Sequence, residues 1–206
     1  MLVFVAMVVI VVTIVMFTRK SKSVVVMSIC GNAQDVKDVQ NFWKGELVVY
    51  DKCTSCAGIP KCKVLPNVGR EQHTWLTYVI DNYESLPKDI YFLPGPIHKH
   101  RRFERFKNGP QPDIIGPHES FVLDSWGGAQ LTPAVVRPFR KWFETYIGPW
   151  DPRRRGPGWY GIAKTTRKDV RKKSIEFYKE LHKQTEVSRD TEVAHYLERA
   201  MYAVFT

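Results

Sequence analysis

Apolar residues open the chain as one nearly continuous run. Residues 2–17 carry no charge, and Thr13 is their only polar side chain. As a helix this run would be about 24 Å long, which is short of the roughly 30 Å hydrocarbon core but tolerable with local thinning. We therefore expect an uncleaved membrane anchor at 1–18, followed by a basic flank at 19–23. A cleaved signal peptide is the alternative, but no Lys or Arg precedes the run and no small-residue cleavage site follows it.

Beyond position 23, short apolar runs alternate with stretches whose apolar residues recur at helical spacing. The runs at 24–30, 46–50 and 89–93 are rich in β-branched and aromatic residues and predict three buried strands. Residues 35–43 and 69–83 predict the two helices between these strands. This alternation predicts an α/β fold with a mostly parallel sheet flanked by helices.

The pattern is weaker from residue 97 onwards, where Pro, Gly and basic residues are frequent. It predicts one strand and three helices, over 120–123, 133–147, 166–182 and 191–204. Pro, Gly and Arg dominate the stretch 148–159, which we interpret as a mobile flap and not as a domain boundary. We therefore expect a single domain over 24–206.

The predicted sheet brings several polar segments to one edge. In a parallel α/β sheet, ligands bind beyond the carboxyl ends of the strands. The segments 30–32, 51–52 and 93–95 follow the three predicted strands, so we expect Asp51 and Gly95 beside one crevice. Asp51 would either contact the base or ribose of a nucleotide or cap the end of its strand.

The segment 66–71, PNVGRE, directly precedes the second predicted helix. A helix N-terminus presents free N–H groups to an anion, and glycine lets the backbone approach a ligand closely. Arg70 adds a bidentate donor for phosphate or carboxylate. Asn67, Gly69, Arg70 and Glu71 are therefore candidate ligand-binding residues, although an Arg70–Glu71 pair that only fixes a loop would give the same pattern.

The formal net charge of +10 fits three kinds of partner: nucleic acid, an anionic membrane surface, and an anionic small substrate such as a nucleotide diphosphate. No RNP or zinc-finger signature accompanies the basic clusters. We therefore do not expect a nucleic acid partner.

Three of the four cysteines, Cys53, Cys56 and Cys62, lie in one short stretch, and Cys30 ends the first predicted strand. A zinc site would use Cys30 as the fourth ligand, but a single CxxC is a weak indication of such a site. Disulfides and reduced thiols are the other interpretations, and the choice between them depends on the side of the membrane.

Three ordered segments carry a family resemblance. The stretch 50–95 contains YDK, LPNVGRE, WLTYVIDNYESLP and IYFLPG, and it is followed by GIAKTTRKDVRKKSIEFYKEL at 161–181 and AHYLERAMYAVF at 194–205. These segments resemble a little-characterised family of glycosyltransferase-like proteins that is catalogued as a domain of unknown function. Their order also resembles, more remotely, nucleotide-sugar transferases of the GT-A type.

The resemblance implies a GT-A-like, Rossmann-like fold and transfer of a sugar from a nucleotide-sugar donor to a glycan or protein acceptor. In GT-A enzymes the strand after this helix ends in a metal-binding Asp-x-Asp, whereas here it ends in Leu93-Pro94-Gly95. Mn²⁺ or Mg²⁺ remains possible, but its usual ligands are absent, so we assign no cofactor. Four cationic side chains are candidates to neutralise the donor diphosphate instead: Arg70, Lys99, Arg101 and Arg102.

An inverting transfer needs a carboxylate that deprotonates the acceptor hydroxyl. Asp124, Glu119 and Glu198 are our candidate catalytic residues. For Glu198, an ion pair with Arg199 is the structural alternative. Three tryptophans in predicted loops would either stack on a sugar or base or pack in the core: Trp126, Trp150 and Trp159.

We therefore expect a membrane-anchored glycosyltransferase. A non-catalytic GT-A-like binding module that has lost its Asp-x-Asp is the alternative, and an anchored protein that binds lipid or nucleic acid is a third. Arg19, Lys20 and Lys22 follow the anchor, so the positive-inside rule predicts that the domain faces the cytoplasm. This orientation predicts reduced thiols at Cys53, Cys56 and Cys62.

Overall fold

The computed structural model describes residues 23–109, 119–151 and 159–205. The expected anchor at 1–18 and the basic flank up to residue 22 lie outside these ranges. Among the described residues, no helix is both long enough and apolar enough to cross a membrane.

Five strands form the main sheet, in the order β3-β2-β1-β4-β7, and a separate two-stranded hairpin pairs β5 with β6. The strands are β1 (Ser23–Ile29), β2 (Glu46–Asp51), β3 (Cys62–Val64), β4 (Asp89–Pro94), β5 (Ser125–Trp126), β6 (Ala129–Gln130) and β7 (Ala163–Thr166). Strands β1 to β4 run parallel, and β7 pairs antiparallel with β4. The prediction of an α/β fold with a mostly parallel sheet is confirmed.

The central strand β1 shows why the sheet has a helical layer on each face. Its residues from Val24 to Ile29 are all buried, as expected of a parallel strand that is covered on both sides. Because successive side chains alternate between faces, Val24 and Val26 join one apolar core while Val25 and Met27 join the other.

The helices divide between those two cores. They are α1 (Ala33–Phe42), α2 (Arg70–Asn82), α3 (Arg102–Lys107), α4 (Phe139–Tyr146), α5 (Arg167–Val170), α6 (Ile175–Thr185) and α7 (Glu192–Phe205). Side chains of α1 and α3, including Val36 and Phe106, pack with Val25 and Met27. Helices α2, α4, α6 and α7 supply most of the larger core on the opposite face.

The second half of the domain differs from the predicted pattern. Residues 120–123 do not form a strand; the short β5–β6 hairpin follows them instead. The helix predicted over 133–147 begins only at Phe139, after Pro138, which lacks an N–H to donate and so suits a helix start. The helix predicted over 166–182 is two helices, because Ser174 caps a new start by accepting a hydrogen bond from the Phe177 N–H.

All four cysteines are paired, which corrects the expectation of reduced thiols. Cys30, after β1, bonds to Cys53 in the loop after β2, and Cys56 bonds to Cys62 at the start of β3. The two disulfides fasten the loop between β2 and β3 to the carboxyl end of the sheet. They also leave no thiolate for a four-cysteine zinc site.

Candidate functional site

An open cleft of about 170 Å³ lies at the carboxyl edge of the sheet. The chain leaves β1 towards β2 on one side and later returns to β4 on the other side, so β1 and β4 flank a topological switch point, the usual place of ligands in such sheets. We call this feature the switch-point cleft. Its lining residues are Ser28, Ile29, Cys30, Lys52, Asn67, Arg70, Glu71, Pro94, Gly95, Arg189 and Asp190.

Gly69 sets the start of α2 beside the cleft. Its φ of 57° lies in the left-handed region, and a Cβ at this position would be 2.5 Å from the Cβ of Thr185. The Gly69 N–H donates to the Ser188 carbonyl at 2.8 Å. Gly69 does not itself line the cleft, but it allows the first turn of α2 to pack against the end of α6 and present Arg70 to the cleft.

Arg70 and Arg189 share one carboxylate at the rim of the cleft. Arg70 Nη2 lies 2.9 Å from Asp190 Oδ1, and Arg189 Nε lies 3.6 Å from Asp190 Oδ2. The Nε of Arg70 is buried without a hydrogen-bond partner among the described residues. Two guanidinium groups against one carboxylate leave this rim with a net positive charge, which favours an anionic ligand.

Lys52 adds a third cation at the floor of the cleft. Its side chain is buried, and its Nζ donates to the carbonyl oxygens of Val68 and Arg70. Burial lowers the pKa of Lys52 to about 8, although Glu71 acts in the opposite direction. Lys52 therefore ties the loop before α2 to the end of β2 and supplies positive charge near neutral pH.

Glu198, on α7, interacts electrostatically with Glu71, a residue of the cleft lining. Burial, and then repulsion from Glu71, raise the pKa of Glu198 to about 7, against the opposing effects of Arg199, the Tyr160 N–H and Arg102. Gly161 has a φ of 76°, and a Cβ there would lie 2.7 Å from Glu71 Oε1. The segment at Tyr160 and Gly161 thus packs against both carboxylates, and only glycine fits at the second position.

Arg102 holds the Tyr160 segment over the end of β4. Its Nε donates to the Tyr160 carbonyl at 3.0 Å, and its Nη1 donates to the carbonyl oxygens of Gly95 and Pro96 at 3.4 and 3.3 Å. Arg102 was expected to neutralise a diphosphate. The structure gives it a bracing role between two backbone segments instead.

Asp51 caps the loop that carries the disulfides and does not line the cleft. Its carboxylate accepts hydrogen bonds from the N–H groups of Gly31, Cys53, Thr54 and Cys56 and from the Thr54 hydroxyl. Burial alone would raise the pKa of Asp51, but these hydrogen bonds hold it below its ordinary value. With its lone pairs used in this way, Asp51 fits the strand-end alternative and not nucleotide recognition.

Asp124 and Glu119 take part in ion pairs away from the cleft. Asp124 pairs with Arg137 at 2.5 Å, and Arg137 also pairs with the fully buried Glu192. Glu119 pairs with Arg140 at 3.0 Å and accepts a hydrogen bond from the Trp150 indole. None of the three predicted catalytic carboxylates lines the cleft, and Glu198 is the one that interacts with a lining residue, Glu71.

Lys99 and Arg101 lie in an exposed helical turn beyond the end of β4, outside the cleft lining. Asn67, Arg70, Glu71 and Gly95 were also predicted as ligand-binding residues, and all four line the cleft.

His195 is a further buried group near the cleft that sequence reasoning missed. It lies one turn before Glu198 on α7, and its Nε2 has no hydrogen-bond partner among the described residues. Burial, followed by Arg70 and Arg199, lowers its pKa to about 4. The Trp126 ring, 54% exposed at the β5–β6 hairpin, lies 5.4 Å from the His195 ring.

Comparison with known proteins gives one match. Residues 29–113 are similar to a family described as Protein of unknown function (DUF3431). No curated protein and no solved structure matches the chain. The matched residues run from the end of β1 to just beyond α3, and they include all of the cleft-lining residues except Ser28, Arg189 and Asp190.

Proposed function

We propose that this protein is a glycosyltransferase that binds the diphosphate of a nucleotide-sugar donor in the switch-point cleft. The main support for this proposal is the cleft itself. It lies at the usual ligand position of a parallel sheet, and it combines the N-terminal turn of a helix with three cationic side chains, Lys52, Arg70 and Arg189. The antiparallel pairing of β7 with β4 is compatible with the GT-A-like arrangement that the sequence motifs imply.

The residues at the end of β4 do not fit a donor-bound divalent metal. Pro94 and Gly95 stand where GT-A enzymes carry the acidic pair, and neither offers a side-chain oxygen. Asp190 is already paired with Arg70 and Arg189. We therefore assign charge neutralisation of the leaving diphosphate to the cationic side chains, and the proposed transfer proceeds without a metal step.

Glu198 is our proposed general base. As a carboxylate it accepts the proton of an acceptor hydroxyl while that oxygen bonds to the anomeric carbon of the donor sugar. The bond between that carbon and the diphosphate oxygen breaks, and its electron pair leaves with the diphosphate. A pKa of about 7 suits this role, because an effective base has a pKa near the working pH.

Trp126 is our proposed platform for the acceptor. An exposed indole face packs well against the apolar face of a sugar ring, and the buried His195 ring supports the indole from behind at 5.4 Å. Because His195 and Glu198 lie one turn apart on α7, an acceptor stacked on Trp126 would have its hydroxyl groups on the side of the general base.

A donor panel tests the proposal. The full chain is incubated with nucleotide sugars, with and without Mn²⁺, and both sugar release and thermal shift are measured. We expect one donor to raise the melting temperature without Mn²⁺, Arg70→Ala to abolish that shift, and Arg167→Ala, on α5 away from the cleft, to retain it. Absence of a shift with every donor would contradict the proposal.

The second candidate function is a non-catalytic module that binds nucleotide sugars. It is favoured by one observation, the Pro94-Gly95 sequence in place of an acidic pair. A donor-dependent thermal shift in wild type and Glu198→Gln, with no turnover in either on any acceptor tested, would support this alternative.

A further inference from the structure

A cluster of two histidines and one glutamate lies where the first turn of α2 meets the end of α6. His73 comes from α2, and His182 and Glu186 lie one turn apart at the end of α6. Each residue offers one potential ligand atom, and these three atoms lie within 4.8 Å of one another. The two imidazole rings lie 4.4 Å apart. None of the three residues lines the switch-point cleft.

The hydrogen bonds of Thr77 fix the tautomer of His182. The Thr77 hydroxyl donates its one proton to the His73 carbonyl at 2.8 Å. The same oxygen lies 2.9 Å from His182 Nε2, so it must accept the proton of that nitrogen. In the neutral imidazole with its proton on Nε2, His182 Nδ1 carries a lone pair, and it lies 3.6 Å from Glu186 Oε1. Two electron-pair donors thus face each other with no hydrogen between them.

His73 contributes a buried ring nitrogen to the same cluster. Its side chain is 2% exposed, and its Nδ1 is buried with no hydrogen-bond partner in the described part of the chain. Buried polar atoms are normally hydrogen-bonded, so a partnerless ring nitrogen on a member of this three-residue cluster points to a ligand that the cluster would share.

We propose that His73, His182 and Glu186 bind a divalent transition metal of the Zn²⁺ class, with water as the fourth ligand. Two imidazoles and one carboxylate are a common zinc ligand set, whereas Mg²⁺ and Ca²⁺ prefer oxygen ligands throughout. Thr77 completes the arrangement by orienting the ligand His182 through its other ring nitrogen.

The geometry requires a small adjustment on metal binding. Zinc ligands lie roughly 2.0–2.2 Å from the ion, so the three ligand atoms must draw together from their present spread. Glu186 can make this movement because its side chain is 54% exposed and lies just beyond α6. A bound ion would link α2, which presents Arg70 to the cleft, to the end of α6.

Calorimetric titration with Zn²⁺ tests the site in the metal-stripped full chain. We expect one Zn²⁺ per chain in wild type and a more than tenfold weaker affinity in Glu186→Gln. The matched control is Glu180→Gln, an exposed residue of the same helix, and it should bind as wild type does. Thr77→Val should weaken binding by about 10- to 100-fold because it frees the His182 ring.

Two results would overturn the proposal: no stoichiometric binding, or equal affinities in wild type and Glu186→Gln. An ion pair between a protonated His182 and Glu186 would produce the first of them. His73→Asn changes a buried residue and could unfold the chain. Glu186→Gln is therefore the deciding variant, because Glu186 is exposed and its substitution leaves the core unchanged. Because Glu186 lies outside the cleft, Glu186→Gln should keep the donor-dependent thermal shift of wild type while it loses zinc affinity. A failure of the metal site is therefore distinguishable from a failure of the proposed transferase function.

Discussion

At the scale of single residues, Glu198 shows how position in the fold sets the chemistry of a side chain. It follows His195 by three positions on α7, and its surroundings combine burial with a neighbouring carboxylate. Glu180, in contrast, is an exposed carboxylate of α6. The sequence offered three carboxylates for the role of base, and only the folded chain distinguishes them.

The raised pKa of Glu198 predicts a pH-dependent gain of stability in Glu198→Gln. Between the ordinary pKa of 4.5 and about 7, the folded chain binds more protons than the unfolded chain, so this group lowers stability as the pH rises through that window. At pH 8 the substitution should stabilise the domain by about 1–2 kcal/mol. This free energy is smaller than the whole pKa shift would give, because the carboxylate is partly solvated.

Urea denaturation at pH 5 and pH 8 measures this effect. We expect the gain in unfolding free energy at pH 8 to shrink towards pH 5, and we expect Glu180→Gln to show no such difference. A gain that is equal at both pH values would mean that the effect does not come from ionisation of Glu198.

At the scale of elements, the central strands were predictable and the edge strands were not. Strand β1 is buried from Val24 onwards, β2 and β4 are buried over at least half of their residues, and all three are rich in apolar residues, which gives a clear pattern. In contrast, β3 and β7 read CKV and AKTT, and their mixed polarity reflects positions at the two edges of the sheet.

Some residues of the cleft were predictable from the sequence and others were not. Asn67, Arg70 and Glu71 were predictable because a helix start after a strand has a local signature. Arg189 and Asp190 reach the cleft from a distant part of the chain, and no local pattern marks them.

The junction of α2 with α6 predicts that Gly69→Ala is strongly destabilising. Alanine would adopt a left-handed conformation and would also clash with Thr185, so the loss should be about 2–4 kcal/mol. Gly127→Ala is the matched control, because Gly127 has a φ of 58° but nothing lies within 4 Å of an added Cβ.

Chemical denaturation of both variants separates the cost of the left-handed backbone conformation from the cost of the steric clash with Thr185. Gly127→Ala should lose only about 1–2 kcal/mol, from backbone strain. Equal losses in the two variants would show that the contact with Thr185 contributes nothing.

At the scale of the whole molecule, the disulfides and the charge distribution give opposite expectations for the compartment. Basic residues after the apolar run predict a cytoplasmic domain, whereas structural disulfides persist in oxidising compartments. Labelling of sealed vesicles with an impermeant maleimide, before and after a reductant, decides between them. A domain in an oxidising lumen is labelled only when both the reductant and detergent are added, whereas a cytoplasmic domain is labelled in sealed vesicles once its thiols are reduced.

The two disulfides should differ in their contribution to stability. Removal of Cys30–Cys53 by paired serine substitutions should cost about 3 kcal/mol, because the bond spans 23 residues. Removal of Cys56–Cys62, which spans 6 residues, should cost less. Melting temperatures under non-reducing conditions give the comparison, and a larger loss for the shorter bridge would contradict the loop-closure argument.

Cys30 belongs at once to a disulfide and to the lining of the switch-point cleft. Any ligand that binds the cleft more tightly when this bond is intact must, by reciprocity, make the bond harder to reduce by the same free energy. Protection of Cys30–Cys53 against a thiol reductant is therefore a thermodynamic readout of cleft occupancy, and it requires neither turnover nor knowledge of the acceptor.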